Sequence, residues 1–231
     1  GNADAKKVTF DKVKDSKISA DGHNVTLNSE VETSNGGSDA GNDNSTGLTI
    51  SAKDVTVNNN ITSHKTINIS AATGNVTTKA GTTINTTTGS VEVTAQNSTV
   101  NGNITSQNVT VTVTENLITA ENAVINATSG TVNISTKTGD IKGGIKSTSG
   151  NVNITARGDT LKVSNITGQN VTVTAASGAV TTTEGSTISA TTGDANITTR
   201  TGNINGKVES SSGSVTLSAT GETLTVSSIS G

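Results

Sequence analysis

TKTGDIKGGIKSTSGNVNITARGDTLKVSNITG, residues 136–168, returns as TRTGNINGKVESSSGSVTLSATGETLTVSSISG, residues 199–231. The two stretches align without a gap, Gly139 on Gly202, Gly150 on Gly213 and Gly168 on Gly231, and 17 of 33 positions are identical. A gap-free repeat of this length points to one supersecondary unit stacked many times. That is a solenoid rather than a compact enzyme.

A finer rhythm runs beneath it. Apolar residues two apart recur at Val8/Phe10, Val25/Leu27, Leu48/Ile50, Ile67/Ile69, Val91/Val93, Val109/Val111, Val132/Ile134, Val152/Ile154, Val171/Val173, Ala195/Ile197 and Val215/Leu217. Thr, Asn, Ser and Glu fill the positions between them. Alternation of β-branched and polar residues reads as strands with one buried face. From the second pair on, the spacing averages about 21 residues, so the long repeat is three turns. A weaker apolar set follows each pair by about ten residues, as in Val55/Val57/Ile61, Leu161/Val163/Ile166 and Leu224/Val226/Ile229. Between the sets lie Thr73-Gly74, Thr88-Gly89, Ser129-Gly130, Ser149-Gly150, Thr192-Gly193 and Ser212-Gly213, read as corners where glycine supplies positive φ.

Two or three short strands per turn, in register from each turn to the next, describe an all-β parallel β-helix. Turns of unequal length fit the right-handed kind better than the strict hexapeptide kind. Eleven turns stacked at strand spacing predict a rod roughly 50 Å long. The whole chain, 1–231, is expected to be one such domain, an internal piece of a longer rod because neither end carries an atypical polar unit. Residues 30–46, EVETSNGGSDAGNDNST, are expected to leave the shaft of the second turn as a loop. They read as a tolerated insertion or as a contact loop.

Composition fits a thin core. Only 29% of residues are hydrophobic, Phe10 is the sole aromatic, and Pro, Cys, Met, Trp and Tyr are absent. Hydropathy alone would suggest disorder; the periodicity overrides it, because a solenoid needs only a few small apolar side chains per turn. Net charge is −3 with scattered Lys and Arg, so there is no basic stripe for nucleic acid. No apolar run is long enough for a membrane span.

Catalytic chemistry has little to draw on. His23 and His64 fall in unrelated turns and are expected to face solvent. Asp140 has Asn203 as its repeat counterpart, and Asp159 has Glu222, so these acids read as corner residues rather than a hydrolase or lyase pair. The G-G-x-G-x-D calcium motif is absent, since Gly143-Gly144 precedes Ile145-Lys146. No enzyme activity, metal or cofactor site is expected. Arg157-Gly158-Asp159 spells the integrin tripeptide, but its counterpart Thr220-Gly221-Glu222 marks the slot as a glycine corner followed by an acid. Thr110-x-Thr112 and Thr172-x-Thr174 resemble ice-binding arrays. The outward column, read as Thr9, Thr26, Thr49, Asn68, Glu92, Thr110, Asn133 and Asn153, is too mixed for that role.

Fifteen Asn-x-Ser/Thr triplets occur, at Asn24, Asn44, Asn60, Asn68, Asn75, Asn85, Asn97, Asn103, Asn108, Asn126, Asn133, Asn153, Asn165, Asn170 and Asn196. This is the acceptor pattern for N-linked sugar, and chance placement would give about nine. Part of the excess is structural: in an alternating strand, residues two apart share a face, so polar Asn tends to be followed by polar Ser or Thr. Asn68, Asn133, Asn153 and Asn196 each flank an inward Ile and are expected to form one outward column.

Segments such as DKVKDSKISADGHNVTLNSEVETS (11–34), NNNITSHKTINISAATGNVTTKAGTTINTTTGSVEVTAQ (58–96) and SGNVNITARGDTLKVSNITG (149–168) resemble the high-molecular-weight adhesins of nontypeable Haemophilus. These belong to the filamentous-haemagglutinin-like group exported by two-partner secretion, and the resemblance covers essentially the whole chain. It implies a right-handed β-helix shaft on the bacterial cell surface and an outer-membrane secretion pore as partner. It implies attachment to host epithelium through sialylated glycans, and hexoses placed on Asn-x-Ser/Thr by a cytoplasmic glucosyltransferase. The Asn-Pro motifs of the group's secretion domain and the Cys pair of its anchoring region have no counterpart here, as the chain holds neither Pro nor Cys. The resemblance leaves two roles open, receptor-binding segment or glycosylated spacer, and places the receptor on no particular residues.

Overall fold

The computed structural model describes residues 7–10, 15–33, 47–221 and 223–231, with side chains from Ser16 onward. Among them every regular element is a strand. All strand pairings are parallel, and each joins a strand to its counterpart one turn away. The strands fall into three columns, the faces of a coil.

The first face stacks Asp15–Ala20, Gly47–Ala52, residues 67–71 and 90–95, Asn108–Val113, Val132–Thr136, Val152–Ala156, residues 171–175 and 195–199, and Val215–Ala219. Ten strands make nine steps, and the coil has about nine turns of about 21 residues. At the spacing of paired strands, those steps span roughly 43 Å.

The expected eleven turns are therefore corrected. Nine of the eleven apolar pairs lie on this face. Lys7–Phe10 instead pairs with Glu30–Thr33 on the third face, and Val25–Leu27 with Val55–Val57 on the second. The first turn of the first face is carried by Ser16/Ile18, where a serine hides the alternation. Thr9 and Thr26 accordingly leave the outward column assigned to them. The expected loop is corrected at its start, where Glu30–Thr33 is a strand with Val31 buried; its residues 34–46 lie outside the described residues.

The second apolar set divides into two faces. Val55/Val57 and Leu161/Val163 line the second, while Ile61 and Ile166 belong to the third. The third face carries a spine of Val31, Ile61, Ile84, Ile104, Ile125, Ile145, Ile166, Ile188 and Val208, none more than 2% exposed. Each β-branched side chain stacks on its equivalent one turn below, so the core runs continuously along the rod.

On the second face, Gly139 and Gly202 occupy inward positions. A Cβ on Gly139 would lie 2.8 Å from Leu161 Cδ1, and one on Gly202 would lie 2.7 Å from Leu224 Cδ1. Both members of this Gly–Leu pair thus recur in the second copy of the long repeat, which keeps a packing couple. The repeat also keeps one buried hydroxyl at each corner. Thr136 and Thr199 donate to backbone carbonyls after the first face. Thr119 and Thr182 accept from Gly143 and Gly206 N–H after the second, at 2.9 and 2.8 Å. Ser147 and Ser210 donate to carbonyls of Gly130 and Gly193 and accept from Gly150 and Gly213 N–H after the third.

The corner glycines act by size, not by backbone angle. Among the described glycines, positive φ occurs only at Gly22, Gly47, Gly81 and Gly185. At Gly74, Gly89, Gly130, Gly150, Gly193 and Gly213 a Cβ would run into the turn below. At Gly150 and Gly213 that obstacle is the carbonyl of the glycine one turn earlier, Gly130 and Gly193.

Candidate functional site

Alternation sends every second side chain outward, and register stacks those side chains into columns. On the first face one column reads Lys17, Thr49, Asn68, Glu92, Thr110, Asn133, Asn153, Thr172, Asn196 and Thr216. Asn68, Asn133, Asn153 and Asn196 share it, as their alternation required. The column beside it reads Ser19, Ser51, Ser70, Thr94, Thr112, Ser135, Thr155, Thr174, Thr198 and Ser218, an unbroken row of hydroxyls. Alternation marked these residues as outward, but only the pairing places all ten in one line.

Of the other acceptor asparagines, Asn85 and Asn126 point outward on the third face. Eight sit at corners. Asn24, Asn75 and Asn97 precede the second face, Asn60, Asn103 and Asn165 the third, and Asn108 and Asn170 the first. Asn44 lies outside the described residues. None of the fourteen described is buried.

At the corners the carboxamide has a structural task. Asn60, Asn103 and Asn165 Oδ1 accept from the N–H of Thr83, Val124 and Thr187, one turn on, at 2.8–2.9 Å. Asn108 and Asn170 do the same for Thr131 and Asp194. Asp54, Asn75, Asn97 and Asn116 form a side-chain ladder: Asn75 Nδ2 donates to Asp54, Asn97 Nδ2 to Asn75, and Asn116 Nδ2 to Asn97. The bonds to Asn60, Asn103, Asn165, Asn108 and Asn170 Oδ1 satisfy backbone N–H donors at the corners. On the flat first face, one such bond joins the described asparagines, Asn153 Nδ2 to Asn133 Oδ1 at 2.9 Å.

That bond lies in a shallow depression of about 330 Å³ on the first face, lined by Thr110, Val111, Thr112, Asn133, Ile134, Ser135, Asn153 and Thr155. Small hydroxyl residues across three successive turns leave the space. Arg157, leaving the strand end into the corner, folds back along its edge. Its Nη1 donates to Ser135 Oγ at 2.8 Å and its Nη2 to Val113 carbonyl at 3.3 Å.

The Arg157-Gly158-Asp159 tripeptide therefore follows the shaft instead of projecting from it. Arg157 N–H donates to Thr136 carbonyl and Gly158 N–H to Lys137 carbonyl. Beside it, Lys137 Nζ donates to Glu115 Oε2 at 2.8 Å. The Glu115 hydrogen bond and charge raise the Lys137 pKa, with a smaller contribution from Asp159.

Of the two histidines, His23 is exposed. His64 is half-buried, with Nδ1 2.9 Å from Thr87 Oγ1. The two Thr-x-Thr pairs lie on the first face, separated along their columns by Asn133/Ser135 and Asn153/Thr155, so they form no continuous array. Asp140 pairs with Lys142 at 3.4 Å; Glu222, the counterpart of Asp159, lies outside the described residues. Among the described residues no three His, Asp or Glu side chains gather as a metal site, and no helix is long and apolar enough to cross a membrane.

No protein-family model matches the chain, and no curated protein or solved structure matches it significantly.

Proposed function

We propose that this chain is a segment of a bacterial surface adhesin, attaching the cell to host epithelium through sialylated glycans. The observation that carries the reading is the first face: two parallel outward columns on a stiff support, one with a hydroxyl at every turn and one of hydroxyls and carboxamides interrupted by Lys17 and Glu92. Such groups donate and accept hydrogen bonds at once, which suits a ligand made of hydroxyls. The wording of segments 11–34, 58–96 and 149–168, which resembles the high-molecular-weight adhesins, supports the same reading. On it the parent protein is exported through an outer-membrane pore, and no catalytic residue or cofactor is assigned.

A second reading has its own support. Four acceptor asparagines share one outward column and eight more line the corners, so sugars on them would coat the shaft on several sides. The segment would then be a glycosylated spacer holding another region away from the cell.

Binding of the isolated chain to epithelial cells, before and after sialidase, separates the two. Sialidase-sensitive binding at micromolar concentration is the expected result. No binding at that concentration would leave the spacer.

A further inference from the structure

Resting on the adhesin reading above, we propose that the depression on the first face, with Arg157 at its rim, seats an acidic saccharide. The depression is lined by six outward side chains, Thr110, Thr112, Asn133, Ser135, Asn153 and Thr155, all neutral and all able to bond sugar hydroxyls. Arg157 adds the cation. Two of its N–H groups are spent on Ser135 Oγ, a lining residue, and on the Val113 carbonyl, which fixes the guanidinium at the edge of the depression and leaves further donors of its planar fork free. Among the described residues no carboxylate pairs with it. Lys137, the neighbouring cation of that corner, is taken by Glu115. A held guanidinium without a carboxylate partner is matched by the carboxylate of an acidic sugar, which it can bind through two parallel hydrogen bonds.

Charge also sets the direction of the ligand. Glu92 stands one turn before Thr110 in the outward column, whereas the guanidinium lies at the other end of that strand, on the Val113 carbonyl. The sugar's carboxylate belongs at the Arg157 end and its neutral rings extend towards Thr110, since the reverse would set like charges together. The chain offers almost no aromatic surface for ring stacking, so affinity rests on hydrogen bonds.

The test uses the chain carrying no sugar of its own, with 3′-sialyllactose as the acidic probe and lactose as the neutral one, in ligand-observed NMR titrations. The parent is expected to bind sialyllactose more tightly than lactose. Arg157→Ala is expected to weaken sialyllactose binding about tenfold or more and to leave lactose unaffected. Arg157→Lys, which keeps the charge and loses the fork, should fall between. Thr112→Gln, which fills the depression, should weaken both probes. Asp159→Ala should change nothing; a loss of cell binding equal to that of Arg157→Ala would assign Arg157 to the integrin tripeptide and overturn the proposal. Equal binding of both probes by the parent would also overturn it. So would parent-like binding by Arg157→Ala and Thr112→Gln with unchanged melting temperatures. If the parent still binds cells in a sialidase-sensitive way in that last case, the site lies elsewhere and the adhesin reading stands. If the parent binds neither cells nor probe, both fall.

Discussion

Single residues show why so polar a chain folds. Inward positions are filled almost without exception by Val, Ile, Leu, Ala, Gly or small hydroxyl residues, and two of them are informative. Ser98, 1% exposed between Val76 and Leu117, has an Oγ with no hydrogen-bond partner. Its burial costs free energy that nothing in the core offsets. Ser98→Ala is expected to raise stability by about 1 kcal/mol in urea unfolding. Ile134 is the opposite case, 2% exposed in the middle of the first face. Ile134→Asp would bury an unpaired charge between turns and cost about 4 kcal/mol or more, whereas Thr110→Ser on the outside should stay within about 0.5 kcal/mol. Equal tolerance of the two would mean that inside and outside have been exchanged. Much of this scale was legible in the sequence, because alternation alone fixes which side chains point in. What alternation could not give is the partner one turn away. The ties of Asn97 to Asn75 and of Arg157 to Ser135 and Val113 depend on register between residues one or two turns apart.

Between elements, the long repeat acts as a set of matched couples. Gly139 leaves the space that Leu161 enters, and Gly202 and Leu224 repeat the arrangement. Leu161→Ala should cost about 2–5 kcal/mol by opening a cavity. Gly139→Ala should cost about 1–3 kcal/mol by crowding. The double variant should cost less than the sum, because each change relieves the other. Strict additivity in thermal melts would show that the two do not meet. A weaker, pH-dependent contribution comes from Glu209 on the third face. Hydrogen bonds from Lys207 and Ser189 hold its carboxyl below the ordinary carboxylate range. Its stabilisation is therefore complete above its unfolded pKa and is lost as pH falls through the lowered folded value. With the side chain 29% exposed, solvent screening keeps the effect small, and Glu209→Gln should reduce the acid dependence of the melting temperature only slightly. The corner glycines mark the limit of sequence reading at this scale. Their positions were visible, but their reason was not. Gly150 is needed because a Cβ would strike the Gly130 carbonyl, one turn earlier, which no local turn rule involves.

For the whole molecule, the parallel solenoid and its regular period were readable, and the number of turns was not. Val8/Phe10 and Val25/Leu27 look like the later pairs, yet belong to other faces. On the first face, the step from Ser16 to Leu48 is longer than any that follows, because the polar stretch extends it, so the regular period breaks where counting begins. The three-sided cross-section was only half visible, since the isoleucine spine of the third face lies too close in sequence to the second face to read as separate. The candidate site was legible in its parts, the outward Asn, Thr and Ser. The depression that gathers them with Arg157 exists only through stacking of three turns.

Stacking in register is thus the claim on which the faces, the depression and the proposed ligand all depend, and the absence of native cysteine makes it directly measurable. Asn153 lies opposite Thr172, and Thr172 opposite Asn196, on the outside of the first face. Under mild oxidation the double variant Asn153→Cys/Thr172→Cys should form an intramolecular disulfide, because adjacent strands place the two Cα atoms about 5 Å apart. Asn153→Cys/Asn196→Cys, two steps or roughly 10 Å apart, should remain reduced. Closure of the second pair without the first would contradict the coil described here.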